Sequence, residues 1–102
     1  MDNNQRKRPR TAISGSLLLA VQSERQVRGQ AIDVSLLGFR FSSEEAIAVG
    51  ETVTTNLVFP SGRAQVVEGT VKTVSSSMPY HYGVIFSQQT TERIIREFIK
   101  LS

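Results

Sequence analysis

Apolar and polar positions alternate most clearly where Val53, Thr55, Leu57 and Phe59 interleave with Thr52, Thr54, Asn56 and Val58. A period of two puts successive side chains on opposite faces, so this run predicts a half-buried β-strand. Pro60-Ser61-Gly62 reads as a turn, since Pro presets φ and Gly tolerates positive φ. The next run, Ala64 to Val74, carries Val66, Val67, Val71 and Val74 with Gly69 in its middle, and the two runs together predict a hairpin. Upstream, Leu17 to Val21 and Gln26 to Ser35 read as strands, the second holding Gly29 as a bulge or a close backbone approach. Phe39-Arg40-Phe41 places two rings on one face and a guanidinium on the other. After the loop Ser75 to Pro79, Tyr80 to Phe86 forms a last strand with Tyr82, Val84 and Phe86 on one face. About six short strands in one small chain predict an all-β fold, a small antiparallel barrel whose closure hides the sheet edges.

The ends of the chain have different patterns. Ile94 and Phe98 are four apart, as are Ile95 and Ile99, and Leu101 follows three after Phe98. That spacing predicts a C-terminal amphipathic helix over 90–102, packed across the barrel, with Thr90 or Thr91 as its cap. The first ten residues, MDNNQRKRPR, hold almost nothing apolar and read as a flexible basic arm over 1–10. The barrel then occupies 11–89, and the whole forms a single domain.

Composition narrows the chemistry. The chain has 102 residues, no cysteine and a formal net charge of +3. Without Cys there is no disulfide scaffold, thiolate zinc site, iron–sulfur cluster or Cys nucleophile, and the expected compartment is reducing and cytoplasmic. The longest apolar run, Leu17 to Val21, falls far short of the roughly 20 residues of a spanning helix, so no membrane span is expected. The charge is unevenly placed. Residues 1–40 carry seven basic and three acidic side chains, whereas residues 41–102 carry five and six. Four of the basic groups, Arg6, Lys7, Arg8 and Arg10, lie within the arm, which points to an anionic partner.

Nothing in the chain makes a case for catalysis. His81 is the single histidine, and its plain reading is a solvated or hydrogen-bonded side chain in a loop running into a strand. Glu44 and Glu45 are adjacent and read as a solvated face. No P-loop, dinucleotide glycine fingerprint or nucleophile elbow is present. The chain is expected not to be an enzyme, and to need neither a metal nor a cofactor.

Binding has better support. Pro9 disfavours helix at Arg8, and in an extended arm Arg6, Arg8 and Arg10 point to one side. Arginine forks address phosphate oxygens and the O6/N7 edge of guanine, and stack on bases. The second element is Asp33-Val34-Ser35-Leu36-Leu37-Gly38. There Asp33 and Ser35 project from one side of a strand end, Val34 faces the core, and Gly38 permits a tight turn and a close backbone approach. A carboxylate accepts from the N1–H and N2–H₂ donors of guanine, and a hydroxyl serves a phosphate or a base.

R-x-x-x-R at Arg6/Arg10, followed after a strand-rich gap by D-x-S-x-x-G at Asp33/Ser35/Gly38, resembles the PilZ domain family. Gly69-Thr70-Val71 resembles that family's penultimate barrel strand, Tyr82 to Phe86 its closing strand, and Ile94 to Leu101 its C-terminal helix. The resemblance implies a six-stranded barrel that acts as a receptor for the bacterial second messenger cyclic di-GMP. It implies that Arg6 and Arg10 contact the ligand's phosphates and guanine edges, while Asp33, Ser35 and Gly38 hold its other side. Arg8 and Arg40 are candidate auxiliaries that the motif does not assign, and their plain reading, like that of Lys7, is solvated surface charge. Phe39, next to the motif glycine, departs from the family's usual small residue and is expected to affect the surface beside the site.

The expected function is therefore a cyclic di-GMP receptor and adaptor that works through a separate, unidentified downstream protein. One alternative is a PilZ-like protein-interaction module without ligand binding. Another is a small basic barrel for single-stranded nucleic acid, which needs aromatic platforms beside cations. The alternating aromatics Phe39, Phe41, Phe59, Tyr82 and Phe86 look core-facing, which counts against a nucleic-acid partner.

Overall fold

The computed structural model describes residues 10–22 and 24–101. Its elements are β1 (Thr11–Ala12), β2 (Ser16–Val21), β3 (Arg25–Val34), β4 (Gly38–Ser43), β5 (Thr52–Val58), β6 (Ala64–Val74), β7 (Tyr80–Phe86) and α1 (Gln88–Leu101). Strands pair antiparallel in the order β3-β2-β5-β6-β7-β4, and β4 returns to pair with β3. Six strands therefore close on themselves, as the period-two pattern predicts. The two-residue β1 is an addition, pairing Thr11 with Val34 and Ala12 with Asp33.

Alternation sorts the side chains. Leu17, Leu19 and Val21 of β2 point inward, as do Val53, Thr55, Leu57 and the following Phe59. Thr55 is the one polar member of that row, and its Oγ1 donates to the Leu18 carbonyl at 2.9 Å, so its burial leaves the hydroxyl paired. Phe39 and Phe41 of β4 and Tyr82 and Phe86 of β7 are buried on the inner face of these paired strands. Phe41 and Tyr82 stack at a centroid separation of 4.9 Å, and Phe39 lies 5.8 Å from both Phe41 and Phe86. The Phe39 ring is thus part of the core, only 1% exposed, and not part of the surface beside the motif glycine.

Of the two readings of Gly29, the close approach holds: an added Cβ would sit 2.7 Å from the Ser42 carbonyl oxygen. The irregularity of β3 falls instead between Ala31 and Asp33, where the register with β4 slips at Ile32. The helix begins at Gln88, earlier than its apolar spacing suggests, and its cap is Ser87. The Ser87 carbonyl accepts from Thr91 N–H at 2.9 Å, and its Oγ accepts from Thr90 N–H at 3.4 Å. Thr90 is buried, and its Oγ1 accepts from Glu68 N–H at 3.2 Å, which ties the first turn to β6. Ile94 is buried against the core, as its place in the apolar stripe predicts.

Candidate functional site

Asp33 sits near the end of β3 with a strand on either side. The short hairpin that follows has Leu36 and Leu37 at its tip, and Ser35 N–H donates to the Gly38 carbonyl at 2.8 Å. That turn sets Val34 opposite Phe39 and Asp33 opposite Arg40. On the other edge, β1 sets Ala12 opposite Asp33, and Arg10 shares the outward side with Ala12, two residues along. One carboxylate on the outer wall is therefore flanked by an arginine from each neighbouring segment.

The contacts are close. Arg40 Nε donates to Asp33 Oδ1 at 3.0 Å and to Oδ2 at 3.1 Å, and Arg40 Nη2 donates to Oδ2. Arg10 Nε donates to Oδ1 at 3.1 Å. Asp33 is buried, while Arg40 and Arg10 keep about half of their side chains in solvent. The Arg40 hydrogen bonds hold the Asp33 carboxyl below its ordinary value of 3.8; burial opposes this and the charge on Arg10 reinforces it.

Ser35 and Gly38 complete the turn. Ser35 is almost fully buried, and its Oγ accepts from Leu37 N–H at 3.3 Å. Gly38 lies against β7, where an added Cβ would come within 1.8 Å of the Val84 carbonyl oxygen. The Leu37 carbonyl accepts from Phe86 N–H at 2.8 Å, so the tip is also held by β7. The D-x-S-x-x-G segment thus has a rigid backing, and its acidic residue faces outward.

Of the residues that the sequence singles out, Arg10, Asp33, Ser35, Gly38 and Arg40 converge on this corner. Arg6, Lys7 and Arg8 lie outside the described residues. Arg40 is not the solvated surface charge that its spacing suggested. It is the main partner of Asp33, and the signal for it was the hairpin register, because residues equidistant from the Ser35–Gly38 turn stand opposite each other. An open cleft of about 820 Å³ lies further along the same barrel wall, lined in part by Ser16, Arg28, Gln30 and Ser42. Gln30 and Ser42 form a cross-strand pair beyond Ala31 and Phe41. Among the described residues no cluster of His, Asp and Glu could hold a metal ion, and no helix is long and apolar enough to cross a membrane. Phe39, Phe41, Phe59, Tyr82 and Phe86 are all buried, so none offers a ring to a base.

A closed antiparallel barrel thus carries an arginine-flanked carboxylate on its outer wall. Residues 4–101 match the PilZ domain, and the chain belongs to the PilZ domain family. Among solved structures, the Bacillus subtilis inhibitor of motility, MotI/DgrA, is similar in fold, with a TM-score of 0.60 at 16% identity. The match covers 92% of this chain and 51% of that one, so the chain spans about half the length of that protein. No curated protein matches the chain.

Proposed function

We propose that this chain is a cytoplasmic receptor for cyclic di-GMP that acts through a separate downstream protein. Membership of the PilZ family supports the ligand class, and one observation carries the placement of the site. Asp33, Arg10, Ser35 and Gly38 meet at one corner of the barrel, at the point where the basic arm joins β1. The ligand carries two phosphates and two guanines. Arginine forks match the phosphate oxygens and the O6/N7 edge, and a carboxylate matches the N1–H/N2–H₂ edge. The ligand docks against Asp33 and the Ser35–Gly38 turn, and Arg6 and Arg10 then close over it. Fixing the arginine side chains on the ligand costs conformational entropy, which the charge-assisted bonds must exceed. The altered arm position is what the downstream protein reads.

Titration calorimetry with cyclic di-GMP at low salt tests this reading. Binding at micromolar protein is expected for the wild type. It should be lost in Arg10→Ala and Asp33→Ala while circular dichroism still reports an intact barrel. A wild-type protein that gives no heat under these conditions overturns the proposal.

A further inference from the structure

We infer that Arg40 is an intramolecular competitor of the ligand's guanine edge for the Asp33 carboxylate, occupying it until the ligand displaces it. The inference rests on the receptor reading above and adds to it a residue that sets the affinity of the site.

The argument begins with the acceptor capacity of one carboxylate. An ionised Asp offers about four lone-pair positions. Among the described residues, Oδ1 receives Nε–H from both Arg10 and Arg40, and Oδ2 receives Nε–H and Nη2–H from Arg40. The one Arg40 Nε–H is shared between the two oxygens, so three N–H groups face four positions. A guanine presenting N1–H and N2–H₂ needs two acceptors and finds at most one open, so docking both donors requires a guanidinium to leave.

Arg40 is the one whose chemistry matches. Its Nε–H and Nη2–H are two donors on a planar N–C–N unit. The N1–H and N2–H₂ of guanine are two donors on the same kind of unit, so the ligand can replace the fork donor for donor. Arg10 makes a single hydrogen bond to Asp33 and stands at the root of the arm. Arg40 is fixed to β4, directly opposite Asp33, so the pair forms wherever the hairpin forms. Its side chain is 51% exposed, which lets it swing into solvent without opening the core. While the fork is closed the site is not competent, and the apparent affinity is reduced by the closed fraction.

Calorimetry on the full chain at 150 mM salt, where long-range attraction is screened, separates the outcomes. Arg40→Gln removes the fork and the charge, and it should bind cyclic di-GMP tighter by roughly tenfold. Arg40→Lys keeps the charge without the planar fork and should fall between Gln and wild type. In the wild type, ligand should also move the Arg40 Nε–Hε proton resonance away from its carboxylate-bonded position. Unchanged or weaker binding in Arg40→Gln, with the wild type binding normally, overturns the competitor role and leaves the receptor reading standing. Binding by the variant alone at 150 mM salt, with the wild type binding at low salt, supports it in its strongest form. Absence of binding in both proteins overturns both readings.

Discussion

Gly38 and Val84 approach so closely that a methyl group on Gly38 would lie 1.8 Å from the Val84 carbonyl oxygen. The contact is backbone against backbone, so no rotamer change can relieve it. Gly38→Ala should therefore destabilise the barrel by about 3 kcal/mol, at the upper end of overpacking costs. Urea denaturation of the variant measures this. A midpoint equal to wild type would mean that β4 can shift away from β7. Ligand loss in this variant would follow from the fold and would not by itself assign Gly38 a ligand contact.

The acid limb of stability should carry the signature of Asp33. Its carboxyl is held below 3.8 mainly by the Arg40 hydrogen bonds. A carboxyl with a lowered folded pKa contributes stability above its unfolded value and loses it as pH falls through the folded one. The Arg40 side chain is half solvated, so the contribution is modest, about 1 kcal/mol. Asp33→Asn should thus be less stable than wild type by about that amount at pH 7. The gap should narrow below pH 3.8, as the wild-type carboxyl takes up its proton. Thermal melts of both proteins across this range provide the check, and a gap independent of pH would show that the pair contributes through packing alone.

How much of this was readable beforehand depended on whether one residue's pattern was enough. Val53, Thr55, Leu57 and Phe59 were readable because burying one face makes register and sidedness the same fact. Asp33, Ser35 and Gly38 could be picked out as a motif, yet Arg40 could not be ranked above Arg8. Its role depends on the pairing of two strands across the Ser35–Gly38 turn, a register that the pattern of either strand alone does not carry. The helix start was misplaced because Gln88 and Gln89 carry no apolar signal, and only contact with β6 shows Ser87 and Thr90 at work. Arg6 and Arg8 lie outside the described residues; the motif assigns a part to Arg6 and none to Arg8.

In the loop between β4 and β5, one buried hydroxyl serves two backbone groups. Tyr82 Oη accepts from Ile47 N–H at 2.8 Å and donates to the Glu45 carbonyl at 2.7 Å. Burial also pushes this phenol above its ordinary pKa, so it stays protonated and able to donate at neutral pH. Tyr82→Phe keeps the ring stacked on Phe41 but strips a partner from two backbone groups. The expected cost is about 1–2 kcal/mol. Hydrogen exchange should quicken at Ile47 ahead of the strands, and uniform protection would mean that water replaces the hydroxyl without loss.

Phe39 separates a core role from a site role. Its ring is 1% exposed and packs 5.8 Å from Phe41 and Phe86, although it directly follows the motif glycine. Phe39→Ala should cost about 3–5 kcal/mol, as expected for an emptied aromatic position in a core. Phe39→Leu keeps most of the volume and should cost about 1.5 kcal/mol or less. Because the side chain points inward, neither change places a new group on the outer wall where Asp33 and Arg40 stand. Cyclic di-GMP affinity of the folded Phe39→Leu protein should therefore stay within about twofold of wild type, the size of effect usual for a position without direct contact. A loss of binding greater than tenfold in a protein that melts cooperatively would show that the ring sets the position of β4, and through it the arginine that faces the site.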